Sequence, residues 1–160
     1  MFLSSTPDSA CNTTLADSHL KTTSSVEQDR VAALRPIHAL IIDDNRDLAR
    51  LFADILEVLG CTTEIAWAGQ AGLEMAKEHA PDIIFCDLNM PGQKSGLDVA
   101  KAIRSDNDLT PTSLIAITGF NDRDSIEEAR AAGFESVFGK PIKFAQLREV
   151  VENHPDQAKI

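Results

Sequence analysis

Ile83-Ile84-Phe85-Cys86-Asp87-Leu88-Asn89-Met90-Pro91-Gly92 is a short apolar run that ends in a carboxylate and passes into a Pro-Gly turn. An unbroken apolar run bounded by turn formers predicts a strand buried on both faces, as in a parallel sheet. Asp87 would then be thrust out at the C-terminal end of that strand. Open α/β sheets collect their ligands beyond the carboxyl ends of the strands, so this position makes Asp87 the first candidate for chemistry.

The same alternation repeats on both sides of this strand. Residues 38–42 predict a strand and residues 46–59 a helix, with Leu48, Leu51, Phe52, Ile55 and Leu59 on one face and Gly60 as C-cap. Residues 62–67 read as a second strand, and 69–80 as a helix stopped by Pro81. Beyond the central strand come a helix from Ser95 or Gly96 to Arg104, a strand over 113–118, and a helix over 122–132 capped by Gly133. A strand over 136–139 and a helix over 144–153 close the series. Five apolar strands alternating with five helices imply a doubly wound α/β domain, because right-handed crossovers place helices on both faces of a parallel sheet.

With 160 residues, 43% of them hydrophobic, the chain has room for one domain with a sizeable core and some spare length. Residues 1–36 form a Ser/Thr-rich extension expected to be disordered, apart from a short helix over 25–34 that starts at Ser25-Val26-Glu27-Gln28. The domain is expected over 37–153 and a tail over 154–160. A net charge of −10 repels nucleic acid and anionic membranes, so neither nucleic-acid binding nor membrane insertion is expected. Three cysteines are an odd number, and Met1-Phe2-Leu3 lacks the basic start and apolar core of a secretory signal. A reduced, cytoplasmic setting follows as an expectation.

The polar residues at the strand ends form a pattern. The first strand ends in Asp43-Asp44, the third in Asp87, the fourth in Thr118 and the fifth in Lys140-Pro141. Parallel strands share one C-terminal edge, so these sites converge on one crevice. Carboxylates about 4 Å apart repel by about 4 kcal/mol per pair at an effective dielectric of 20, so three of them need a cation. Oxygen-only ligands point to Mg²⁺, Lys140 supplies a charge for phosphate oxygens, and Thr118 a hydroxyl donor. Asp87 becomes a nucleophile for a phosphoryl group.

Ile41-Ile42-Asp43-Asp44, Asp87-Leu88-Asn89-Met90-Pro91-Gly92, Ala116-Ile117-Thr118-Gly119 and Gly139-Lys140-Pro141-Ile142 together resemble the four signatures of the response-regulator receiver domain of two-component signalling. The resemblance implies the strand order 2-1-3-4-5, one of the common orders of doubly wound parallel sheets. It implies phosphorylation of Asp87 by a histidine kinase or histidine phosphotransfer protein. Asp44, Asp87 and the Asn89 carbonyl would be metal ligands, with Asp43 acting mainly through water. A stand-alone receiver is expected, a phosphoacceptor regulator whose only catalysis is its own phosphotransfer and autodephosphorylation. Such a protein acts through protein contacts or by shuttling the phosphate.

Two departures from the family stand out. The loop from Met90 to Gly96 is one residue longer than usual and lacks the usual Met-Asp pair, and Val137 stands where the family has Tyr or Phe. In the family that aromatic turns into space left when the Thr118 equivalent moves toward the phosphoryl group. A β-branched valine cannot span such a gap, and strand alternation sends Phe138 to the other face.

A rival reading is an aspartate-nucleophile phosphohydrolase of haloacid-dehalogenase type, which needs a second Asp two residues on as general acid. Asn89 occupies that place. A nucleotide-binding module needs a Gly-rich turn after the first strand, where Asp43-Asp44-Asn45 would repel phosphate. Four histidines show no ligand spacing, and Trp67 reads as packing or a partner contact. Phe120, two residues beyond Thr118, is expected with Asn89 to flank the path of a hydrolytic water.

Overall fold

The computed structural model describes residues 35–119 and 122–156. The expected helix over 25–34, Phe120 and the last residues of the tail lie outside the described residues. Five strands, β1 (His38–Ile42), β2 (Thr62–Ala66), β3 (Ile83–Asp87), β4 (Ser113–Thr118) and β5 (Ser136–Gly139), alternate with five helices. These are α1 (Arg46–Val58), α2 (Gly69–His79), α3 (Gly96–Arg104), α4 (Arg123–Ala132) and α5 (Phe144–Glu152). The strands are all parallel, in the order β2-β1-β3-β4-β5.

Strand alternation divides the apolar residues between two cores. Leu40, Ile42, Ile84, Cys86, Leu114 and Ala116 face α2, α3 and α4. Ala39, Ile41, Ile83, Phe85, Ile115 and Ile117 face α1 and α5. Each large side chain so buried contributes about 1.5–3 kcal/mol, and the central strands β1, β3 and β4 carry most of them. The expectation of strands apolar throughout fails at the sheet edges. In β2 only Ala66 is buried, and β5 has no fully buried residue, because an edge strand has one flank open to water.

The face of α1 also differs from expectation. Its buried residues are Ala49, Phe52, Ala53 and Leu56, whereas Leu51 is 57% exposed. Two alanines let the helix lie close to the sheet, which rotates the bulkier Leu51 outward. Several predicted ends shorten by a residue: β2 stops at Ala66, α1 at Val58, α2 at His79 and α5 at Glu152. Ser95 and Asp122 lie outside their helices as N-caps, accepting from the N–H groups of Asp98 and Ser125. Gly133 ends α4 with φ +117°, a conformation that favours glycine.

Candidate functional site

The site lies at the C-terminal edge of β1, β3, β4 and β5. Register sets its parts in order: Ile42 pairs with Cys86, Asp87 with Ile117, and Thr118 with Gly139, so Asp43, Asp87, Thr118 and Lys140 leave the sheet at adjacent points. Asp43 turns the chain into α1, its Oδ1 accepting from Asn45 N–H at 2.9 Å, and Asn45 Oδ1 then caps the helix by accepting from Leu48 N–H. Asp87 Oδ1 accepts from Asn89 N–H at 3.0 Å. Both Asp43 and Asp87 are buried, and Asp44 is exposed.

Lys140 binds the two buried carboxylates together. Its Nζ donates to Asp87 Oδ2 at 3.0 Å and to Asp43 Oδ2 at 3.1 Å. Partial burial pulls the ammonium's pKa down, but the hydrogen bonds and charges of Asp87 and Asp43 outweigh it, so the pKa lies above the ordinary lysine value. Lys140 is therefore a fixed cation at neutral pH. Among the described residues, Asp43, Asp44 and Asp87 also offer carboxylate oxygens within 4.8 Å of one another. Three carboxylates against one ammonium leave a formal charge of −2 in a half-enclosed space. An oxygen-only donor set with this excess charge fits a hard divalent cation.

Two residues matter here in ways that spacing did not reveal. The Asn89 side chain donates from Nδ2 to Thr118 Oγ1 at 3.1 Å, joining the loops after β3 and β4. Gly96, at the start of α3, lies so near the chain after β3 that a Cβ there would overlap the Asp87 carbonyl oxygen and sit 2.9 Å from Leu88 Cα. Any side chain at Gly96 would displace the backbone that carries Asp87.

Of the remaining residues singled out in the sequence, Trp67 packs beside α1, with the guanidinium carbons of Arg46 and Arg50 at 5.3 and 6.0 Å from its ring centroid. His38 and His79, distant in sequence, both meet Glu64 Oε2, at 3.1 and 2.8 Å, near the opposite edge of the sheet. Val137 packs against the α2–α4 core and Phe138 against the α1–α5 core, on opposite faces.

A five-stranded 2-1-3-4-5 sheet with a carboxylate cluster and a lysine at its C-terminal edge defines a receiver fold. The chain belongs to the response regulator receiver domain family, whose model matches residues 39–152. Over 119 residues it is 33% identical to the polar-differentiation response regulator DivK of Brucella anthropi, covering 74% of this chain and 96% of that one. The DivK of Brucella ovis is likewise 33% identical, over 115 residues, 72% of this chain and 93% of the relative. Among solved structures, the signal receiver domain of a DNA-binding response regulator from Colwellia psychrerythraea superposes with a TM-score of 0.68 at 28% identity, covering 72% of this chain and 95% of that one. Vibrio cholerae CheY4 has a TM-score of 0.69 at 24% identity, covering 74% and 98%, and shows the shared fold. The protein is thus a signalling protein of the phosphoacceptor class, and no helix among its described residues is long and apolar enough to cross a membrane.

Proposed function

We propose that Asp87 accepts a phosphoryl group from a histidine kinase or histidine phosphotransfer protein in a Mg²⁺-dependent reaction. The observation that carries this reading is a cluster of three carboxylates, two of them bonded to one ammonium, which leaves an excess of negative charge for a cation to offset. Asp43, Asp44, Asp87 and the Asn89 carbonyl would hold Mg²⁺. Bound there, the ion would neutralise charge on the phosphoryl oxygens.

The chain's own residues do the rest. An Asp87 carboxylate oxygen attacks phosphorus in line as the donor's P–N bond breaks, and the electron pair leaves with the imidazole nitrogen. Lys140, already charged, transfers one of its hydrogen bonds from Asp87 to a phosphoryl oxygen. Thr118 donates its hydroxyl to another. Catalysis is positioning and charge neutralisation, with no general acid, which separates this reading from the dehalogenase-type phosphohydrolase. Water reverses the modification by autodephosphorylation.

The donor must reach Asp87 past α1, which begins at the pocket and leaves Leu51 at 57% and Val58 at 80% exposed, one above the other at i and i+7. This apolar stripe supports docking of a partner protein there. The acylated protein then acts by binding a downstream protein or by passing the phosphate on, in the cytoplasm, where its two buried thiols, Cys61 and Cys86, stay reduced.

Incubation with acetyl phosphate and Mg²⁺, followed by intact mass measurement, tests the reading. The expected result is one phosphoryl group per chain, labile to base, absent when EDTA replaces Mg²⁺. Full labelling in EDTA would remove the metal, and no labelling in Mg²⁺ would remove the phosphoacceptor.

A further inference from the structure

We infer that Arg46 and Arg50, stacked on Trp67 beside the acidic cluster, form a cationic platform that draws anionic phosphodonors toward Asp87. This rests on the phosphoacceptor reading above. Trp67 is partly buried against the core under α1, and the guanidinium carbons of Arg46 and Arg50 lie 5.3 and 6.0 Å from its ring centroid. Both arginines are exposed. Sheet register puts the platform near the site. Ile42 pairs with Ala66 on one side and with Cys86 on the other, and Asp43 N–H donates to the Ala66 carbonyl at 3.1 Å. Trp67 and Asp87 therefore leave the sheet two strand spacings apart, about 10 Å.

Neither cation is neutralised. Arg104 is locked to loop carbonyls, and Arg123 and Arg148 pair with the glutamates four residues on, at 3.1 and 3.4 Å. Arg50 has Asp54 in the same relation, yet among the described residues neither it nor Arg46 makes a hydrogen bond or an ion pair. The two arginines are also four residues apart on α1, a spacing at which like charges repel. Stacking on the indole offsets that repulsion and holds both charges in place. It uses the face of each guanidinium, so the N–H donors in its plane stay available to an anion.

The surroundings explain why unpaired cations matter here. The chain carries a net charge of −10, and the cluster at Asp87 holds three carboxylates against one ammonium. A phosphodonor is itself an anion and is repelled on approach. Two fixed cations about 10 Å from the acceptor act against that repulsion at long range, without touching the reacting atoms. At an ionic strength of about 20 mM, where the Debye length is about 20 Å, two unit charges at that distance change the local concentration of a dianion by about fivefold. At about 0.15 M, where the Debye length is about 8 Å, the change falls to about twofold.

The second-order rate of labelling by acetyl phosphate with Mg²⁺, measured at both ionic strengths, tests the inference on two double variants, Arg46→Gln/Arg50→Gln and Arg46→Lys/Arg50→Lys. The glutamine pair is expected to label about fivefold slower than wild type at the lower ionic strength and about twofold slower at the higher. The lysine pair keeps both charges and is expected to stay within about twofold of wild type throughout. A glutamine pair as fast as wild type overturns the inference. So does a loss that salt does not diminish, or an equal loss in the lysine pair, since either would trace to structure and not to charge. Trp67 is the chain's sole tryptophan, so its emission reads the stacking directly. That emission is expected to change in the glutamine pair, and unchanged emission overturns the platform. Wild-type protein that takes no label at either ionic strength overturns the phosphoacceptor reading itself, and the inference with it.

Discussion

At the N-terminal edge of the sheet Arg104 donates to the carbonyls of Gly133, Thr110 and Thr112 at 2.8–3.0 Å and meets Glu135 at 3.4 Å, whereas at the C-terminal edge Lys140 faces Asp43 and Asp87, with Asp44 beside them. Arg104 closes the end of α3 onto the chain entering β4 and β5, and its planar fork satisfies loop carbonyls that would otherwise compete for water. Thr112 adds a bond from Oγ1 to the Pro81 carbonyl at 2.9 Å on the same edge. The Arg104 cation there is locked to backbone carbonyls and paired with Glu135. Lys140 leaves a formal excess of negative charge, whose mutual repulsion a bound cation would relieve. One edge is tied to backbone, and the other carries the excess charge that the proposed cation would offset.

Asp87→Asn should break the C-terminal edge most completely. Labelling by acetyl phosphate is expected to vanish, while the thermal midpoint is not lowered, since the change removes one carboxylate from a cluster with excess negative charge. A large fall in midpoint would mean that Asp87 is a structural partner of Lys140 first. Arg104→Ala should do the reverse. It removes charged donors from three carbonyls and is expected to cost about 2 kcal/mol in urea unfolding, with the labelling rate of the folded protein unchanged. Slower labelling of fully folded Arg104→Ala protein would erase the division between the edges.

Each edge also carries one buried thiol, which allows a comparison by pH. Burial, and secondarily the charge of Asp82, pushes Cys61 up to about 11, and burial followed by the charges of Asp87 and Asp43 pushes Cys86 higher still. A pKa raised in the folded state gives stability that is complete below the unfolded value and is lost as pH rises above it. Stability should therefore begin to fall near pH 9, by about 1 kcal/mol per pH unit for each thiol. Lys140, also raised, contributes its loss only above the ordinary lysine value, about 10.4. The chain has no tyrosine to obscure this range. Urea unfolding from pH 7.5 to 10 checks it: Cys61→Ala should make the decline shallower, and an unchanged slope would mean that this thiol does not set it.

The central strands were legible because a strand covered on both faces is apolar along its interior, and β1, β3 and β4 are unbroken apolar runs over 39–42, 83–86 and 114–117. Their polar terminal residues stood out for the same reason, which is why Asp43, Asp87, Thr118 and Lys140 could be picked out together. The register of α1 was not legible. Counting bulky apolar residues favours Leu51, but Ala49 and Ala53 decide the buried face by allowing close approach to the sheet, and alanine gives little hydrophobic signal. The Asn89–Thr118 bond left no trace in spacing, since it depends on two side-chain rotamers brought together by strand pairing. Gly96 read as an ordinary helix start until the position of the Asp87 carbonyl was known.

The smallest effect expected concerns how the C-terminal edge reports its state to the rest of the molecule. In receivers resembling this one, an aromatic on the fifth strand turns inward as the threonine hydroxyl moves to the phosphoryl group. Here Val137 pairs with Ala116 in the β4–β5 register and packs against the core under α4, while Phe138 lies on the opposite face against the α1–α5 core. A valine side chain is stiff at χ1 and too short to fill and vacate such a space. A side chain of that kind reduces the displacement that phosphorylation can transmit. With beryllofluoride and Mg²⁺ as a phosphoryl mimic, amide shift changes are expected at Asp43, Asp87, Asn89, Thr118, Lys140 and the first turn of α4. Residues Ser136–Gly139 and α5 beyond its first turn should move little. Large changes across β5 and α5 would show that a switch passes through Val137 after all, and Val137→Phe gives the complementary check, since restoring an aromatic should enlarge the β5 response if its absence is what limits the signal.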